Sequence, residues 1–156
     1  MNDDDYMRMA IEKAREGIAQ RQSPFGAVIV LDREVAAAAH NTVWRDLDPT
    51  AHAEINAIRQ AARRLVRIDL SGGVLFSTCE PCPMCLAAAH WSKIERVVYG
   101  ASIADAAAAG FSELQVAAIV LAEMGQSPVR VEPGPCREEC RALFELWRTS
   151  GVGRPY

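Results

Sequence analysis

Apolar residues follow helical spacing in some stretches of the chain and strand-like runs in others. Over residues 3–20 they recur every three or four positions, which is typical of a helix with one buried face. Residues 25–31 form a continuous apolar run typical of a buried strand, and the polar residues 32–34 predict a turn into a second strand that ends near His40. This pattern predicts a hairpin at the start of the sheet.

The same alternation continues to the end of the chain. We expect helices from Pro49-Thr50 to near Asp69, from Pro81 to about Trp91, over 113–124 and over 138–149; strands over 74–78, 96–99 and 129–131; and loops over 41–48 and 100–110. Strands that alternate with helices predict a three-layer α/β/α fold in which helices cover both faces of a five-stranded sheet. The opening hairpin makes that sheet mixed rather than purely parallel.

Length and composition narrow the class of protein. A chain of 156 residues and 17.0 kDa has the size of one domain, so residues 1–156 are expected to form a single unit. Half of the residues are hydrophobic and 24% are charged, which excludes a disordered chain. The net charge of −3 argues against a nucleic-acid partner. Residues 1–5 are acidic and no long apolar segment follows, so we expect a cytoplasmic protein that has no membrane partner.

The chemistry is indicated by two short motifs, His52-Ala53-Glu54 and Pro81-Cys82-Pro83-Met84-Cys85. Cysteines crowded together in a chain without a secretion signal favour a metal site over disulfides. Cys82 and Cys85 are three residues apart at a helix start, where free N–H groups and the helix dipole stabilise thiolates. With His52 they form three ligands of a zinc tetrahedron, and the open fourth position is what a catalytic zinc needs for water.

Glu54 is the candidate proton carrier for that water. Residues two apart on an ideal helix point in opposite directions, so Glu54 and His52 converge only if His52 lies at the helix start, which Pro49-Thr50 favours. A carboxylate in this place acts as a general acid and base. The alternative is a buried His, a surface Glu and a pair of core cysteines, which the combined pattern disfavours. The His-x-Glu and Pro-Cys-x-x-Cys pair is the signature of zinc nucleobase deaminases.

Over residues 24–111 the chain resembles the cytidine deaminase-like superfamily, and within it the bacterial guanine deaminases. The resemblance depends on residues 23–30, Asn41, 48–54, 77–85 and 105–111, and the last of these segments is the most specific. It implies a zinc ion on His52, Cys82 and Cys85, one per chain, with Glu54 moving protons. It further implies a homodimer in which the C-terminal segment can be exchanged between subunits.

The resemblance also implies a set of substrate contacts. Phe25 would stack on the base, Asn41 would hydrogen-bond it, Trp91 would wall the pocket, Glu113 would accept hydrogen bonds from the base, and Tyr156 would close the site of the partner. Each has a structural alternative: core packing for Phe25 and Trp91, a turn for Asn41, a helix start for Glu113 and an unstructured terminus for Tyr156. Glu80 lies beside the pocket with no assigned role.

The reaction expected from this resemblance is the hydrolytic deamination of a free base, with guanine to xanthine and ammonia as the favoured pair. Ser112-Glu113 stands where guanine deaminases carry two Asp residues, and the tail before Tyr156 also differs. Other small amino-heterocycles or nucleosides, namely cytosine, an amino-triazine such as ammeline, or guanosine, therefore remain alternatives. Less favoured are adenosine in tRNA, because of the acidic net charge, and a zinc module without catalysis, because Glu54 is present.

The remaining histidines and cysteines carry no comparable signal. His40 and His90 lack metal-type spacing, and Cys79 is either a spectator thiol or an unintended ligand. Cys136 and Cys140 are four apart with no His nearby, which is not a zinc signature.

Overall fold

A computed structural model describes residues 1–151 and 153–156. The described elements follow the chain in the order α1 (Asp3–Ala19), β1 (Gly26–Leu31), β2 (Glu34–His40), α2 (Val43–Asp46), α3 (Ala53–Leu65), β3 (Val74–Cys79), α4 (Pro83–Trp91), β4 (Arg96–Ala101), α5 (Ile103–Ala108), α6 (Ala118–Met124), β5 (Arg130–Pro133) and α7 (Arg137–Thr149). The predicted α/β alternation is confirmed.

The sheet has the order β2-β1-β3-β4-β5. Strand β1 is antiparallel to β2 and to β3, whereas β3, β4 and β5 are parallel, so the predicted mixed five-stranded sheet is confirmed. The register pairs Gly26 with His40 and Cys79 with Ala101. Chain segments that leave β2, β3 and β4 therefore lie close to the start of β1, at one end of the strands.

Helices cover both faces of the sheet, as the apolar pattern predicts. Helices α1 and α7 bury Met7, Ile11 and Leu143 against one face, and α3, α4 and α6 cover the other. Helix α1 comes closest at Gly26, where an added Cβ would lie 2.0 Å from the backbone oxygen of Ala10. Only glycine allows this approach, which seats α1 beside the start of β1.

Helix α3 is shorter than the sequence pattern predicts. It begins at Ala53, with His52 as its N-cap, and it ends at Leu65 instead of near Asp69. Val66 takes the left-handed conformation with φ of 53° and closes the helix. The Pro49-Thr50 pair lies in a turn before the helix, in which the Asp48 carboxylate accepts hydrogen bonds from the backbone and side chain of Thr50.

The loops also differ from the expectation. Segment 41–48 contains the single-turn helix α2, and segment 100–110 contains α5, which Ser102 and Asp105 cap reciprocally. The helix expected over 113–124 begins only at Ala118, and residues 111–117 have no regular structure. Long-range bonds override local propensity here, because Tyr156 accepts from the Ser112 N–H and Glu80 accepts from the Ala118 N–H.

Within the part of the chain that the structure describes, none of the helices has the length and apolar character needed to cross a membrane.

Candidate active site

Three side chains with metal-binding atoms converge at this end of the strands, where β2, β3 and β4 end and β1 begins. His52 is the N-cap of α3, Cys82 is the N-cap of α4, and Cys85 lies in the first turn of α4. The His52 Nδ1 atom is 3.7 Å from the Cys82 sulfur and 3.5 Å from the Cys85 sulfur, and the three ligand atoms lie within 4.8 Å of one another. Two ligands at zinc–nitrogen and zinc–sulfur distances and a tetrahedral angle are about 3.6 Å apart, so the group fits zinc.

The electrostatics of the group favour a bound cation. A hydrogen bond from Cys85 lowers the pKa of Cys82 to about 4, with a smaller contribution from His52, although burial opposes the charge. A thiolate is the form of cysteine that binds metal. Because both cysteines stand at the start of α4, unpaired backbone N–H groups add to this stabilisation.

Glu54 lies next to the metal-binding group. His52 has extended backbone angles, with φ of −66° and ψ of 158°, and this bend lets the two side chains converge although they are only two residues apart. Glu54 is 6% exposed and accepts a hydrogen bond of 3.2 Å from the Ser77 hydroxyl. Burial raises the pKa of its carboxyl. A raised pKa makes a carboxylate a better proton acceptor, which suits it to general acid–base work.

A cavity of about 270 Å³ opens over these residues. Its lining consists of Phe25, Pro49, His52, Glu54, Cys79, Glu80, Cys82, Pro83, Met84, Phe111, Ser112, Glu113, Leu114 and Tyr156. Phe25 contributes to both the cavity and the core, since its ring packs edge-on against Phe111 at 4.9 Å and against Phe144 at 5.9 Å. The stacking and the packing interpretations of Phe25 are therefore compatible.

The C-terminal residues fold over the cavity of their own chain. Tyr156 lines the cavity, and its ring centre lies 5.8 Å from that of His52. Its hydroxyl accepts a hydrogen bond of 2.7 Å from the amide of Asn41, which is fully buried. The Arg154 guanidinium lies 3.6 Å from the ring centre of Trp44, and the Arg154 carbonyl accepts from the indole N–H. These contacts give the last residue a defined place.

Glu113 lies on the cavity wall, in the irregular segment 111–117, so it does not begin a helix. It is half-buried, and burial, with the nearby Cys82 thiolate, raises the pKa of its carboxyl.

Trp91 is not brought to the cavity. It ends α4 with 80% of its surface exposed and is absent from the lining, because the helix turns it toward solvent.

The other histidines and cysteines stay outside the metal-binding group. Cys79 lines the cavity, but its thiol donates to the Ser102 carbonyl at 3.5 Å. His40 bonds the carbonyl of Asn41, and His90 bonds Ser127. Cys136 and Cys140 belong to the opposite face of the sheet. In the described residues, His52, Cys82 and Cys85 form the one group of three that could hold a metal.

Two residues of the site have no role in the sequence interpretation. Ser77 donates a hydrogen bond to Glu54, and its signal is one of two hydroxyl residues, Ser77 and Thr78, in the buried strand β3. Glu80 bonds two backbone N–H groups across the cavity wall, and its signal is an acid placed between Cys79 and Pro81. Neither signal identifies the residues that these side chains contact, because all three partners, Glu54, Ile103 and Ala118, lie 23 or more positions away in the chain.

The fold and this site together define a metal-dependent deaminase. The chain belongs to the cytidine and deoxycytidylate deaminase family, since the model of the zinc-binding region of that family matches residues 1–101. It is a zinc-dependent deaminase, and its resemblance to guanine deaminases is confirmed by its relatives.

Relatives of different specificity match the chain. It is 45% identical to guanine deaminase of Bacillus subtilis over 114 residues, which cover 72% of this chain and 73% of the relative. It is 41% identical to the tRNA-specific adenosine deaminase of Aquifex aeolicus over 101 residues, or 65% of this chain and 67% of the relative. A solved structure in complex with 8-azaguanine has a TM-score of 0.86 at 28% identity and covers 95% of this chain and 85% of its own.

Proposed function

We propose that residues 1–156 act as one catalytic domain that hydrolyses guanine to xanthine and ammonia. The observation that carries the proposal is that one cavity is lined by two members of the metal-binding group, His52 and Cys82, together with Glu54 and Glu113. Guanine presents N–H donors that call for such a carboxylate. The 45% identity to a guanine deaminase and the neighbour bound to 8-azaguanine support this choice of substrate.

We propose one zinc ion per chain on His52, Cys82 and Cys85. When bound there, zinc polarises a water molecule and lowers its pKa toward about 7. The chain supplies the proton transfers. The Glu54 carboxylate takes one proton from the attacking water and delivers it to the ring nitrogen, which keeps it, and then takes the second proton of that water and delivers it to the amine, which leaves as ammonia. The Ser77 hydroxyl keeps this carboxylate in place by bonding Oε1.

The remaining wall residues are proposed to bind and orient the base. Phe25 stacks on it, Glu113 accepts from its N–H groups, and Tyr156 lies beside it. Asn41, which is fully buried and absent from the lining, acts behind the wall by holding the Tyr156 hydroxyl. The aromatic lining also excludes bulk water, which strengthens the polar contacts. Trp91 has no part in this proposal because it faces away from the cavity.

The tail favours a free base over a base in a nucleic acid. Segment 153–156 lies across the cavity of its own chain and is tied there through Tyr156 and Arg154. A polynucleotide would have to displace these contacts to bring a base to Glu54. Adenosine in tRNA is the second candidate, and the 41% identity to a tRNA-specific adenosine deaminase is the observation that favours it.

We also propose that the chain forms a homodimer. Large apolar side chains are exposed on α4, α6 and the segment between α5 and α6: Trp91, Leu114, Val116, Ile119, Val120 and Met124. A group of this kind is typical of an interface. Since Tyr156 closes the cavity of its own chain, the proposed dimer does not need an exchanged tail to close its sites.

The test is ammonia release by the zinc-loaded protein from guanine, cytosine, adenine, guanosine, cytidine and ammeline, with a tRNA transcript as a further substrate. A kcat/KM for guanine at least about tenfold above the others would support the proposal. A preference for a smaller ring or a nucleoside would contradict guanine while leaving the deaminase chemistry intact. Activity on the transcript alone would favour the second candidate.

A further inference from the structure

Glu80 joins two helices across the wall of the cavity. It follows β3 directly, and its side chain lines the cavity. Its Oε2 accepts a hydrogen bond of 3.1 Å from the Ile103 N–H, and its Oε1 accepts one of 2.8 Å from the Ala118 N–H. These are the first backbone N–H groups of α5 and α6.

The hydrogen bond from the Ala118 N–H to Glu80 supplies the side-chain cap that the sequence before α6 lacks. The first N–H groups of a helix have no partner inside it and need an acceptor from elsewhere. Helix α5 has its own side-chain cap in Ser102, but the N-cap of α6 is Ala117, which has none. A carboxylate between two helix starts also interacts favourably with both dipoles. Glu80 therefore fixes where α6 begins.

The segment that this bond anchors forms one wall of the cavity. Residues 111–114 all line the cavity, and residues 111–117 have no regular structure. Their own short-range backbone bonds run from the Glu113 N–H to the Phe111 carbonyl and from the Val116 N–H to the Leu114 carbonyl. Such turns do not place a segment relative to the rest of the fold, so its position depends on its anchored ends.

We infer that Glu80 is a positioning residue for substrate recognition, which holds the wall 111–114, and with it the Glu113 carboxylate, at a fixed place opposite the metal-binding group. Glu80 precedes Cys82 by two residues, so the same short stretch of chain sets the metal ligand and the wall. This inference rests on the proposed function, because the contact of Glu113 with the base is part of it.

The first test is Glu80→Gln, which keeps the shape of the side chain but leaves one of the two N–H groups facing an amide NH₂. We expect KM for the best substrate to rise about tenfold, the size of one lost charge-assisted hydrogen bond, with kcat within about twofold and zinc content unchanged. Glu95→Gln is the matched control. Its carboxylate also accepts from a backbone N–H, that of Gly72, but outside the cavity lining.

The second test repeats the change in a Glu113→Gln background. If Glu80 acts by placing Glu113, KM of the double variant is close to KM of Glu113→Gln alone. Equal losses in kcat and kcat/KM, or loss of zinc in Glu80→Gln, would overturn the inference. So would unchanged KM in the folded variant. If Glu80→Gln does not fold, Glu80→Asp, which draws the oxygens back by one methylene, must show the KM rise or the inference fails.

The design separates this inference from the proposed function. All KM values are measured with whichever base of the panel the wild-type protein converts best, so failure of guanine does not affect the test. If Glu113→Gln leaves KM unchanged while Glu80→Gln raises it, the proposed Glu113 contact is wrong. The positioning of the wall by Glu80 then stands through its other lining residues.

Discussion

The amide of Asn41 donates a hydrogen bond of 2.7 Å to the hydroxyl of Tyr156, the last residue of the chain, across 115 positions of sequence. The carbonyl oxygen of the same amide accepts from the Val43 N–H at 3.0 Å, which fixes the orientation of the Asn41 side chain. The amide is thus held from one side by the α2 turn and from the other by the tail. This pair ties Tyr156, which lines the cavity, to a fully buried amide of the fold.

Tyr156→Phe removes the hydroxyl and leaves one Asn41 N–H without its partner. We expect KM for the substrate to rise about tenfold with little change in kcat, because the tail loses its bond while Glu54 and the metal-binding group are untouched. Steady-state kinetics measure this. Tyr6→Phe is the matched control, since the Tyr6 hydroxyl bonds the Arg33 carbonyl away from the cavity. An unchanged KM in Tyr156→Phe would show that the pair does not act in binding.

Glu54→Gln tests the proton transfers. The amide fills the same buried space and can keep the bond with Ser77, but it cannot take up a proton at neutral pH. We expect kcat to fall by about 10²–10⁴. Zinc content, measured by mass spectrometry, and binding of 8-azaguanine, measured by calorimetry, should persist. A variant that lost zinc together with activity would instead indicate a structural role for Glu54.

The local part of the site could be predicted from the sequence. Two short motifs at helix starts contain His52 with Glu54 and Cys82 with Cys85, and within each motif the spacing of two or three residues determines that the two side chains converge. The meeting of the two motifs, across 30 and 33 positions, is indicated by the combined deaminase signature and not by spacing. The mixed sheet also follows from local patterns, because the turn at 32–34 directly indicates an antiparallel hairpin.

The rest of the site depends on contacts that spacing does not encode. Glu80 meets the Ala118 N–H across 38 positions, and this contact removes the first turns of the helix expected over 113–124. Trp91 shows the opposite case: it lies near the ligands in sequence, but the length of α4 places it at the exposed end of the helix, outside the cavity lining. Residues that face a cavity from another element need the tertiary structure to be identified.

A comparison of Cys85→Ser with Cys79→Ser tests which of the two cysteines is a zinc ligand. Cys85 belongs to the converged group, whereas the Cys79 thiol bonds the Ser102 carbonyl. We expect Cys85→Ser to lose zinc and turnover and Cys79→Ser to keep both. Chelation of the wild-type protein should abolish turnover and lower Tm, since zinc that binds the folded protein adds about 4 kcal/mol of stability when free zinc is at 1,000 times its Kd. Added zinc should restore both. Zinc loss in Cys79→Ser would add Cys79 to the ligand set.

Asp105 gives an expectation for the pH dependence of stability. Burial opposes its charge, but hydrogen bonds from Ser102 and the nearby Arg141 and Arg137 outweigh this and lower the pKa of Asp105. Because the folded pKa is the lower one, the stabilisation is complete above the unfolded pKa of about 3.9 and is lost as pH falls through the folded pKa. Asp105→Asn should therefore cost about 1 kcal/mol at pH 7 and progressively less below pH 4.

Urea unfolding of the two proteins in parallel measures this difference, and any acid loss of zinc then affects both. Asp69→Asn is the control, because Asp69 accepts the same pair of bonds, from Ser71, on the exposed surface. A cost at Asp105 that stayed constant down to pH 3 would show that the charge of the carboxylate does not contribute.

Ile119→Glu tests the proposed homodimer. Ile119 is 48% exposed on α6 among the apolar side chains of that face, whereas Leu146 is 44% exposed on α7, against the opposite face of the sheet. A charge placed in an apolar interface is unfavourable, so Ile119→Glu should shift the sedimentation coefficient from dimer to monomer. Leu146→Glu, with the same change at nearly the same exposure, should remain dimeric. A monomeric wild-type protein would contradict the proposed homodimer. A dimer that Leu146→Glu dissociates and Ile119→Glu does not would show that the interface lies on the α7 side of the sheet.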